Sequence, residues 1–279
     1  MSIGSPYKLL ALDVDGTLLN SQHQLSAATE RTLRAAVGQG LHITLTTGRQ
    51  YEGVKAQGER RGLHSPQITS NGAVVTLSAT GETLFWDGLP APLARRVIQI
   101  GQGLGVTVVV IQNGRLYVAA WNQDVDYMMG YGEPTPTVVP DLNDALDPPP
   151  SHIKVLAYRQ DDLFEQAVRV YQSELGAVLG ISRSVPYYLE LTRRGVSKGS
   201  ALRKVIAYLG LRSNHVLAIG DGHNDIAMFR AAGYAVAMGN SSPEVQAAAD
   251  QVAATNDEDG AAKAIETLVL NWRGSTTTD

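Results

Sequence analysis

The sequence predicts an α/β fold: a doubly wound parallel sheet with a smaller α/β domain inserted in it. Short, continuous apolar runs alternate with segments of helical spacing, as is typical of strands buried on both faces and joined by right-handed crossovers. The alternation breaks off after Asn71, where a hairpin pattern and Pro-rich segments follow, and it resumes after Gly195. We therefore expect a discontinuous catalytic core of residues 1–81 and 190–279, with an inserted domain of residues 82–189.

The first core segment contains three predicted strands and two predicted helices. The apolar run Lys8–Leu12 predicts the first strand, and Ser26 is a candidate N-cap for the helix after it. A second strand is expected within residues 41–49, followed by a helix over Tyr51–Arg60, and the third strand begins in Gln67–Ser70.

The inserted segment predicts a second, separate set of strands and helices. A hairpin over residues 73–86 precedes it, and an Asn-Gly turn at residues 113–114 joins its first two strands. Its remaining predicted elements are the helix Leu93–Leu104, the strands Thr107–Ile111, Leu116–Ala119 and His152–Tyr158, the helix Asp162–Leu175, and the strands Ala177–Ser182 and Tyr187–Leu191.

The second core segment returns to the alternation of the first. Its predicted elements are the helix Lys198–Leu209, the strand His215–Ile219, the helix Asn224–Ala232, the strands Tyr234–Met238 and Gln251–Ala254, and the helix Asp259–Leu270.

Composition excludes several classes of protein. The 279 residues include no cysteine, so disulfides, iron–sulfur clusters and a thiol nucleophile are excluded. A net charge of −4 does not suit a protein that binds nucleic acid phosphates. Apolar runs such as Val106–Ile111 are far shorter than the ~20 residues that span a bilayer, and no signal peptide is visible. We therefore expect a cytoplasmic protein that binds neither nucleic acid nor membranes.

Asp13 and Asp15 lie two residues apart at the carboxyl end of the first predicted strand. Like charges this close cost free energy unless a positive group neutralises them, and this end of a parallel strand is where ligands bind in open α/β sheets. Carboxylate oxygens suit Mg²⁺, so the DVDGT segment of residues 13–17 predicts a magnesium site. The alternative is a solvated turn that caps a helix.

A second acidic segment, GDGHND at residues 220–225, also follows an apolar strand. If the two strands are neighbours, Asp221 reaches the same edge of the sheet as Asp13. The alternative is a Gly-rich turn in which Asn224 or Asp225 caps the next helix.

Two further segments suit a phosphate. Thr47 and Gly48 end the second strand, where a hydroxyl and free N–H groups can hold phosphate oxygens. Lys198 lies at a predicted helix start, where the helix dipole disfavours a cation, so a ligand is the better explanation for it. Taken singly, Lys198 could be a solvated lysine and Thr47 an ordinary strand end.

Together these segments resemble the four-motif signature of the haloacid dehalogenase superfamily. The four are DVDGT at residues 13–17, TTGR at residues 46–49, Lys198, and GDGHND at residues 220–225. The SNGA segment at residues 70–73 and the LEL…GVSKG segment at residues 189–199 resemble the Cof-type phosphatases of that superfamily, which carry an α/β cap of the C2B type. Thr46 stands where the family often has Ala.

The resemblance implies a role for each matched residue. Asp13 would be the nucleophile, and Asp15 the general acid and then the general base. Mg²⁺ would be held by Asp13, Asp221 and the Asp15 carbonyl, with Asp225 steadying the site. Residues that would contact the phosphoryl group or the substrate are Val14, Thr47, Gly48, Arg49, Asn71, Lys198 and Asn224. Cap residues near Arg183–Tyr187 are further candidates for the substrate side.

The resulting expectation is a Mg²⁺-dependent phosphatase for small phosphorylated metabolites, either sugar phosphates or phosphorylated cofactors. It would form an aspartyl-phosphate and work as a monomer or simple homodimer. Two alternatives stay open: a sugar phosphomutase, and a non-catalytic protein that binds a phosphorylated ligand.

Overall fold

The computed structural model describes residues 5–59, 62–131, 133–183 and 186–272, with the backbone alone for residues 56–59. It contains two sheets. The eight-stranded sheet has the order β14-β13-β12-β1-β2-β3-β4-β5. Its strands are β1 (Leu9–Asp13), β2 (His42–Thr46), β3 (Pro66–Thr69), β4 (Val74–Leu77), β5 (Glu82–Trp86), β12 (Val216–Gly220), β13 (Tyr234–Ala237) and β14 (Gln251–Val252).

The strands from β14 to β3 are parallel, and β4 and β5 add an antiparallel edge. Helices cover both faces of this sheet, as a doubly wound fold requires. They are α1 (Ala27–Gly38), α2 (Tyr51–Glu59) and α9 (Gly260–Ile265) on one face, and α6 (Lys198–Tyr208), α7 (Ile226–Phe229) and α8 (Pro243–Ala247) on the other.

Strand β1 shows why the chain folds this way. All five of its residues are buried, and successive side chains of a strand point to opposite faces. Leu10 and Leu12 pack with α1 and α9, whereas Leu9 and Ala11 pack with α6 and α7. Apolar residues are therefore needed at every position from Leu9 to Leu12. Asp13, the last residue of β1, is the first charged residue of the strand.

The six-stranded sheet has the order β10-β11-β9-β6-β7-β8 and is mainly antiparallel. Its strands are β6 (Thr107–Gln112), β7 (Arg115–Val118), β8 (Thr137–Val138), β9 (His152–Leu156), β10 (Leu179–Arg183) and β11 (Tyr188–Arg193). Helices α3 (Ala91–Leu104) and α5 (Asp161–Leu175) cover one face. On the other face α4 (Gln123–Met129) packs over part of the sheet, through Val125 and Met128.

The structure confirms the predicted fold class, with local differences. The helix predicted over Asn224–Ala232 is a 3₁₀ turn, His223–Asp225, followed by the short α7. Helix α4 and strand β8 were not predicted from the sequence. Ser70 is not in β3, because Ser70–Gly72 forms a 3₁₀ turn. Arg60, predicted to end α2, lies outside the described residues.

The domain boundaries stay a prediction, and strand membership bears on where they fall. Strand β5 includes residue 82 and pairs with β4 in the eight-stranded sheet. Strand β11 includes residue 190 and pairs with β9 and β10 in the six-stranded sheet. A division by sheet would therefore assign residues 82–86 to the core and residues 190–193 to the inserted domain. Among the described residues, no helix is both long and apolar enough to cross a membrane.

Candidate active site

The candidate site lies at the carboxyl ends of β12, β1 and β2. Strand β1 is paired with both neighbours, and Asp13 lies opposite Thr46 in the register with β2. From β1 the chain continues to β2 on one side, whereas from β12 it continues to β13 on the other side. The sheet order therefore reverses between β1 and β12, which is the position where open α/β sheets bind ligands.

Lys198 is the central cation of the site. It is fully buried, and its Nζ donates to Asp13 Oδ1 at 2.5 Å and to Asp225 Oδ1 at 2.7 Å. Burial lowers the pKa of Lys198, but the two carboxylates outweigh it and the pKa is raised. The two carboxylates therefore favour the ammonium form of Lys198 at the floor of the site.

Lys198 is the first residue of helix α6, and side chains cap the N-terminus of this helix. Ser197 caps the helix, and Ser200 completes a capping box with it. The backbone of Gly72 presses against this cap: a Cβ at Gly72, where φ is +97°, would lie 2.2 Å from the Ser197 carbonyl oxygen. Only glycine permits this contact, so the 3₁₀ turn after β3 fixes where α6 begins.

Three carboxylates, from Asp13, Asp221 and Asp225, can each place an oxygen within 4.8 Å of the other two. Lys198 neutralises only one of these charges. Burial and the neighbouring carboxylates raise the pKa of Asp13 well above its ordinary value. Burial and Asp225 raise the pKa of Asp221 to about 6. Crowded, desolvated oxygen donors of this kind suit a hard divalent cation, so the residues fit a metal such as Mg²⁺.

The loops around the cluster are shaped to hold it. Asp225 Oδ2 accepts the backbone N–H groups of Asp221 and Gly222, at 3.1 and 2.9 Å, and so fixes the loop after β12. Thr17 donates to Asp221 Oδ1 at 2.7 Å. A Cβ at residue 16 would lie 2.3 Å from Asp221 Oδ2, so Gly16 leaves the space that this carboxylate occupies.

Asp15 is held apart from the acidic cluster. Its two carboxylate oxygens accept from Arg49 Nε at 2.7 Å and Nη2 at 2.5 Å. His23 Nδ1 lies 3.7 Å from Asp15 Oδ1. Burial lowers the pKa of Arg49, but its hydrogen bonds to Asp15 and the charge of Asp15 raise it overall. The side chain of Asp15 is therefore oriented by the Thr-Gly-Arg segment after β2.

Thr47 and Asn224 complete the core side of the site. Thr47 is buried, and its Oγ1 accepts the backbone N–H of Arg49 at 3.0 Å, which closes a tight turn after β2. Asn71 donates its N–H to the Thr47 carbonyl at 3.0 Å, and its Oδ1 accepts from Asn224 Nδ2 at 2.9 Å. The hydrogen bonds of Asn71 thus connect the turn after β2 with the loop after β12, which are distant in sequence.

A cavity of about 320 Å³ opens over these residues, and both sheets line it. The predicted residues that line it are Asp13, Asp15, Thr47, Gly48, Arg49, Lys198, Asp221 and Asn224. Three others do not face it directly. Asn71 and Asp225 lie behind it, in contact with Asn224 and Lys198. The Val14 side chain is buried in the apolar core, so only its backbone is available to a ligand.

The wall on the side of the inserted domain was predicted from the sequence only in part. It consists of Tyr131, Glu133, Lys154, Pro186, Tyr188 and Glu190. Of the candidate loop Arg183–Tyr187, Pro186 lines the cavity, whereas Arg183 pairs with Glu165 on an exposed surface at 2.9 Å. Residues 184 and 185 lie outside the described residues. His23, on the core side, was also assigned no role.

A signal for part of this wall is present in the sequence. Strands HIKVL and YLELTR alternate apolar with polar or charged residues, which sets His152, Lys154 and Glu190 on one face. Such a face is usually solvated, so the alternation alone does not indicate a buried site.

Comparison with known proteins agrees with this geometry. Residues 10–265 match the model of the haloacid dehalogenase-like hydrolases, and the chain belongs to that family. A putative phosphatase, YxeH, of Bacillus subtilis is 32% identical over 270 residues, covering 95% of this chain and 99% of the relative. The 5-amino-6-(5-phospho-D-ribitylamino)uracil phosphatase YcsE of the same organism is 30% identical, covering 94% and 96%.

A solved structure extends the likeness to three dimensions. The subclass IIB sugar phosphatase BT4131 is 26% identical and superimposes with a TM-score of 0.83 over 93% of this chain and 98% of its own. The family resemblance and the fold class are thereby confirmed. The chain is accordingly a phosphatase of the haloacid dehalogenase type, an enzyme that hydrolyses phosphoric monoesters.

Proposed function

We propose that the protein is a Mg²⁺-dependent phosphatase of small phosphorylated metabolites that works through an aspartyl-phosphate on Asp13. The observation that carries the proposal is the contact of Asp13 with Lys198, 2.5 Å between Oδ1 and Nζ, at the floor of a cavity lined by both sheets. A carboxylate nucleophile and a phosphate dianion repel each other, and a buried ammonium beside the nucleophile offsets part of that repulsion.

Each residue of the site then has a defined role in phosphoryl transfer. Asp13 attacks phosphorus, while Lys198, the Gly48 amide, Thr47 and Asn224 hold the phosphoryl oxygens. Asp15 gives a proton to the departing alcohol oxygen and then takes one from the water that hydrolyses the aspartyl-phosphate. Arg49 orients the carboxylate form of Asp15, which takes the proton from the water. Asp225 keeps Lys198 and the loop of Asp221 in position.

The metal site would use Asp13, Asp221 and the Asp15 carbonyl, with Asp225 steadying it. When bound, Mg²⁺ supplies positive charge that offsets the nucleophile and the phosphate. This assignment is supported by the three crowded carboxylates and by the space that Gly16 leaves beside Asp221.

A small substrate is supported by the size of the cavity, about 320 Å³, and by the relatives. One relative is named for a phosphorylated ribityl compound and one solved structure for sugar phosphates. The inserted domain covers the phosphate from above, which excludes water and brings its own residues to the leaving group.

The test is phosphate release from a panel of sugar phosphates and phosphorylated cofactors, with Mg²⁺ and with EDTA. We expect Mg²⁺-dependent release that Asp13→Asn abolishes, whereas Asp126→Asn, an exposed aspartate on α4 that binds Trp121, leaves it intact. An isomerised phosphate ester in place of free phosphate would favour a phosphomutase. Folded protein that binds the esters but releases nothing would favour a non-catalytic binding protein.

A further inference from the structure

The six-stranded sheet presents a charged face to the cavity. In the antiparallel pair of β9 and β11, Lys154 lies directly opposite Glu190, and Tyr188 lies on the same face two residues before Glu190. The alternate residues Ile153, Leu189 and Leu191 lie on the other face, within the apolar core under α3 and α5. Because side chains alternate along these strands, one face of the strand pair is apolar and the other faces the cavity.

The charged groups on this face are buried. Lys154 Nζ donates to Glu133 Oε1 and lies 3.8 Å from Glu190 Oε1, and each of the three residues is at most 8% exposed. Removing such charges from water is unfavourable, and a protein with apolar residues of similar volume in their place is often no less stable. Stability therefore does not explain them, whereas a polar ligand in the cavity would.

Two polar atoms on this wall are left for a ligand. Within the described part of the chain, neither Glu133 Oε2 nor the Tyr188 hydroxyl has a hydrogen-bond partner, and both side chains line the cavity. Glu133 Oε2 can accept a hydrogen bond and the Tyr188 hydroxyl can donate one. A leaving group with several hydroxyls satisfies both atoms, since a hydroxyl donates as well as accepts.

The wall also extends to the turn at Gly48, which is proposed to bind the phosphoryl group. A Cβ at Gly48 would lie 3.5 Å from Glu190 Oε1, so the carboxylate of Glu190 lies against the turn that is proposed to bind phosphoryl oxygens. A leaving alcohol attached to that phosphoryl group is therefore within reach of the wall.

The charge of the wall limits what it accepts. Glu133 and Glu190 bring two carboxylates against the one ammonium of Lys154. The next cation, Arg49, is already paired through two hydrogen bonds with Asp15. The side chains of Glu133, Lys154 and Glu190 together carry one net negative charge. A second anionic group on the leaving alcohol would meet no free cation among the described residues that line the wall, and would be repelled.

We infer that Glu133, Lys154, Tyr188 and Glu190 form a leaving-group subsite that binds an uncharged, polyhydroxylated alcohol and rejects one with a second anionic group. The inference rests on the proposed phosphatase function and narrows its substrate class.

The test uses two esters that share a carbon chain and differ at one end. Sorbitol 6-phosphate ends in a hydroxymethyl group, whereas 6-phosphogluconate ends in a carboxylate. We expect kcat/KM for the first to exceed that for the second by about tenfold or more. Glu133→Gln keeps the shape and removes one charge, so it should reduce this preference by about tenfold, through faster hydrolysis of 6-phosphogluconate.

Glu165→Gln is the matched control, because Glu165 is an exposed glutamate of the same domain that pairs with Arg183, and it should leave the preference unchanged. Tyr188→Phe tests the subsite without a change of charge. It should lower kcat/KM for sorbitol 6-phosphate by a larger factor than that for p-nitrophenyl phosphate, which has no hydroxyl to bind.

Equal rates for the two esters, or a preference for 6-phosphogluconate, would overturn the inference. So would a folded Glu133→Gln protein with the preference of the wild type. If that variant does not fold, the wild-type preference and Tyr188→Phe still decide. Absence of phosphate release from every ester, p-nitrophenyl phosphate included, would instead overturn the proposed function itself.

Discussion

Arg49 holds Asp15 by both carboxylate oxygens, with Nε 2.7 Å from Oδ2 and Nη2 2.5 Å from Oδ1. This fork turns the Asp15 side chain away from the cluster of Asp13, Asp221 and Asp225. Two carboxylates two residues apart thus have separate surroundings: Asp13 lies beside Lys198, and Asp15 lies beside an arginine that lines the cavity. The two carboxylates of this motif are thus oriented by two different cations.

Asp15→Asn should separate the two halves of the reaction. With p-nitrophenyl phosphate the leaving group needs little protonation, so Asp13 still forms its phosphoryl adduct. Hydrolysis of that adduct needs Asp15 as base and should fall by about 10²–10⁴-fold. Rapid mixing should show a burst of p-nitrophenol stoichiometric with the enzyme, followed by slow release. A variant that turns over at the wild-type rate would contradict the role of Asp15.

Lys198→Met should destabilise the metal-free protein, because it leaves Asp13 and Asp225 buried without their cation. The expected loss is about 3–5 kcal/mol, measured as the free energy of unfolding in denaturant. Lys204→Met is the control on the same helix, since Lys204 pairs with Asp87 where both side chains are partly exposed. It should cost about 0–1 kcal/mol. Equal losses in the two variants would show that the buried contacts of Lys198 contribute no more to stability than the partly exposed pair of Lys204 and Asp87.

Asp221→Asn should stabilise the metal-free protein at neutral pH. The pKa of Asp221 is about 6 in the folded chain, against 3.8 as its ordinary value, so the folded state binds the proton more tightly. The wild type therefore loses stability as the pH rises from about 4 to 6, and the loss is complete above that window. The variant lacks this loss and should gain on the order of 3 kcal/mol at pH above 6.

The measurement is thermal denaturation in EDTA across that pH range, with Asp126→Asn as a control that should follow the wild type. Added Mg²⁺ should stabilise the wild type more above pH 6 than below it, because the metal replaces a proton there. Asp221→Asn should lose most of this response. A stabilisation by Mg²⁺ that is independent of pH would contradict the assignment of Asp221 as a ligand.

Gly72→Ala should disturb the site through the backbone. An alanine Cβ there would lie 2.2 Å from the Ser197 carbonyl oxygen and displace the start of α6, with Lys198. Gly81→Ala is the matched control: Gly81 also has a positive φ, +74°, but a Cβ there would meet no described atom within 4 Å. Both variants should lose about 1–2 kcal/mol from the positive φ. Gly72→Ala alone should also lose kcat/KM, and equal activities would contradict the mechanism.

The core part of the site was predictable because its geometry follows from the parallel sheet. Asp13 is the last residue of β1, and Thr47 and Asp221 come directly after β2 and β12; parallel strands bring their carboxyl ends to one edge. Lys198 could be placed because a lysine at a helix start has an unfavourable interaction with the helix dipole. Local sequence and the alternation of strands with helices are therefore enough to predict the positions of these four residues.

The opposite wall was not predictable in the same way. Lys154 and Glu190 belong to a sheet whose orientation over the core depends on long-range packing, and a charged face on a strand pair usually indicates solvent. Glu133 lies outside the strands and helices, beside a Pro-rich stretch that carries no periodicity. Asn71, whose φ is 52°, likewise contacts Thr47 and Asn224, which are not its neighbours in sequence.

Strand β11 ends at Arg193, and a short turn leads from it to the Ser197 cap of α6. One continuous piece of chain thus carries Glu190 on the leaving-group side and Lys198 on the phosphate side. Exchange of inserted domains between relatives, in evolution or by recombination in the laboratory, is therefore constrained at this junction. A chimaera cut after residue 189 would join half of β11 from each parent, whereas a cut in the turn at residues 194–196 would transfer the whole specificity wall and leave the phosphate lysine with its own core.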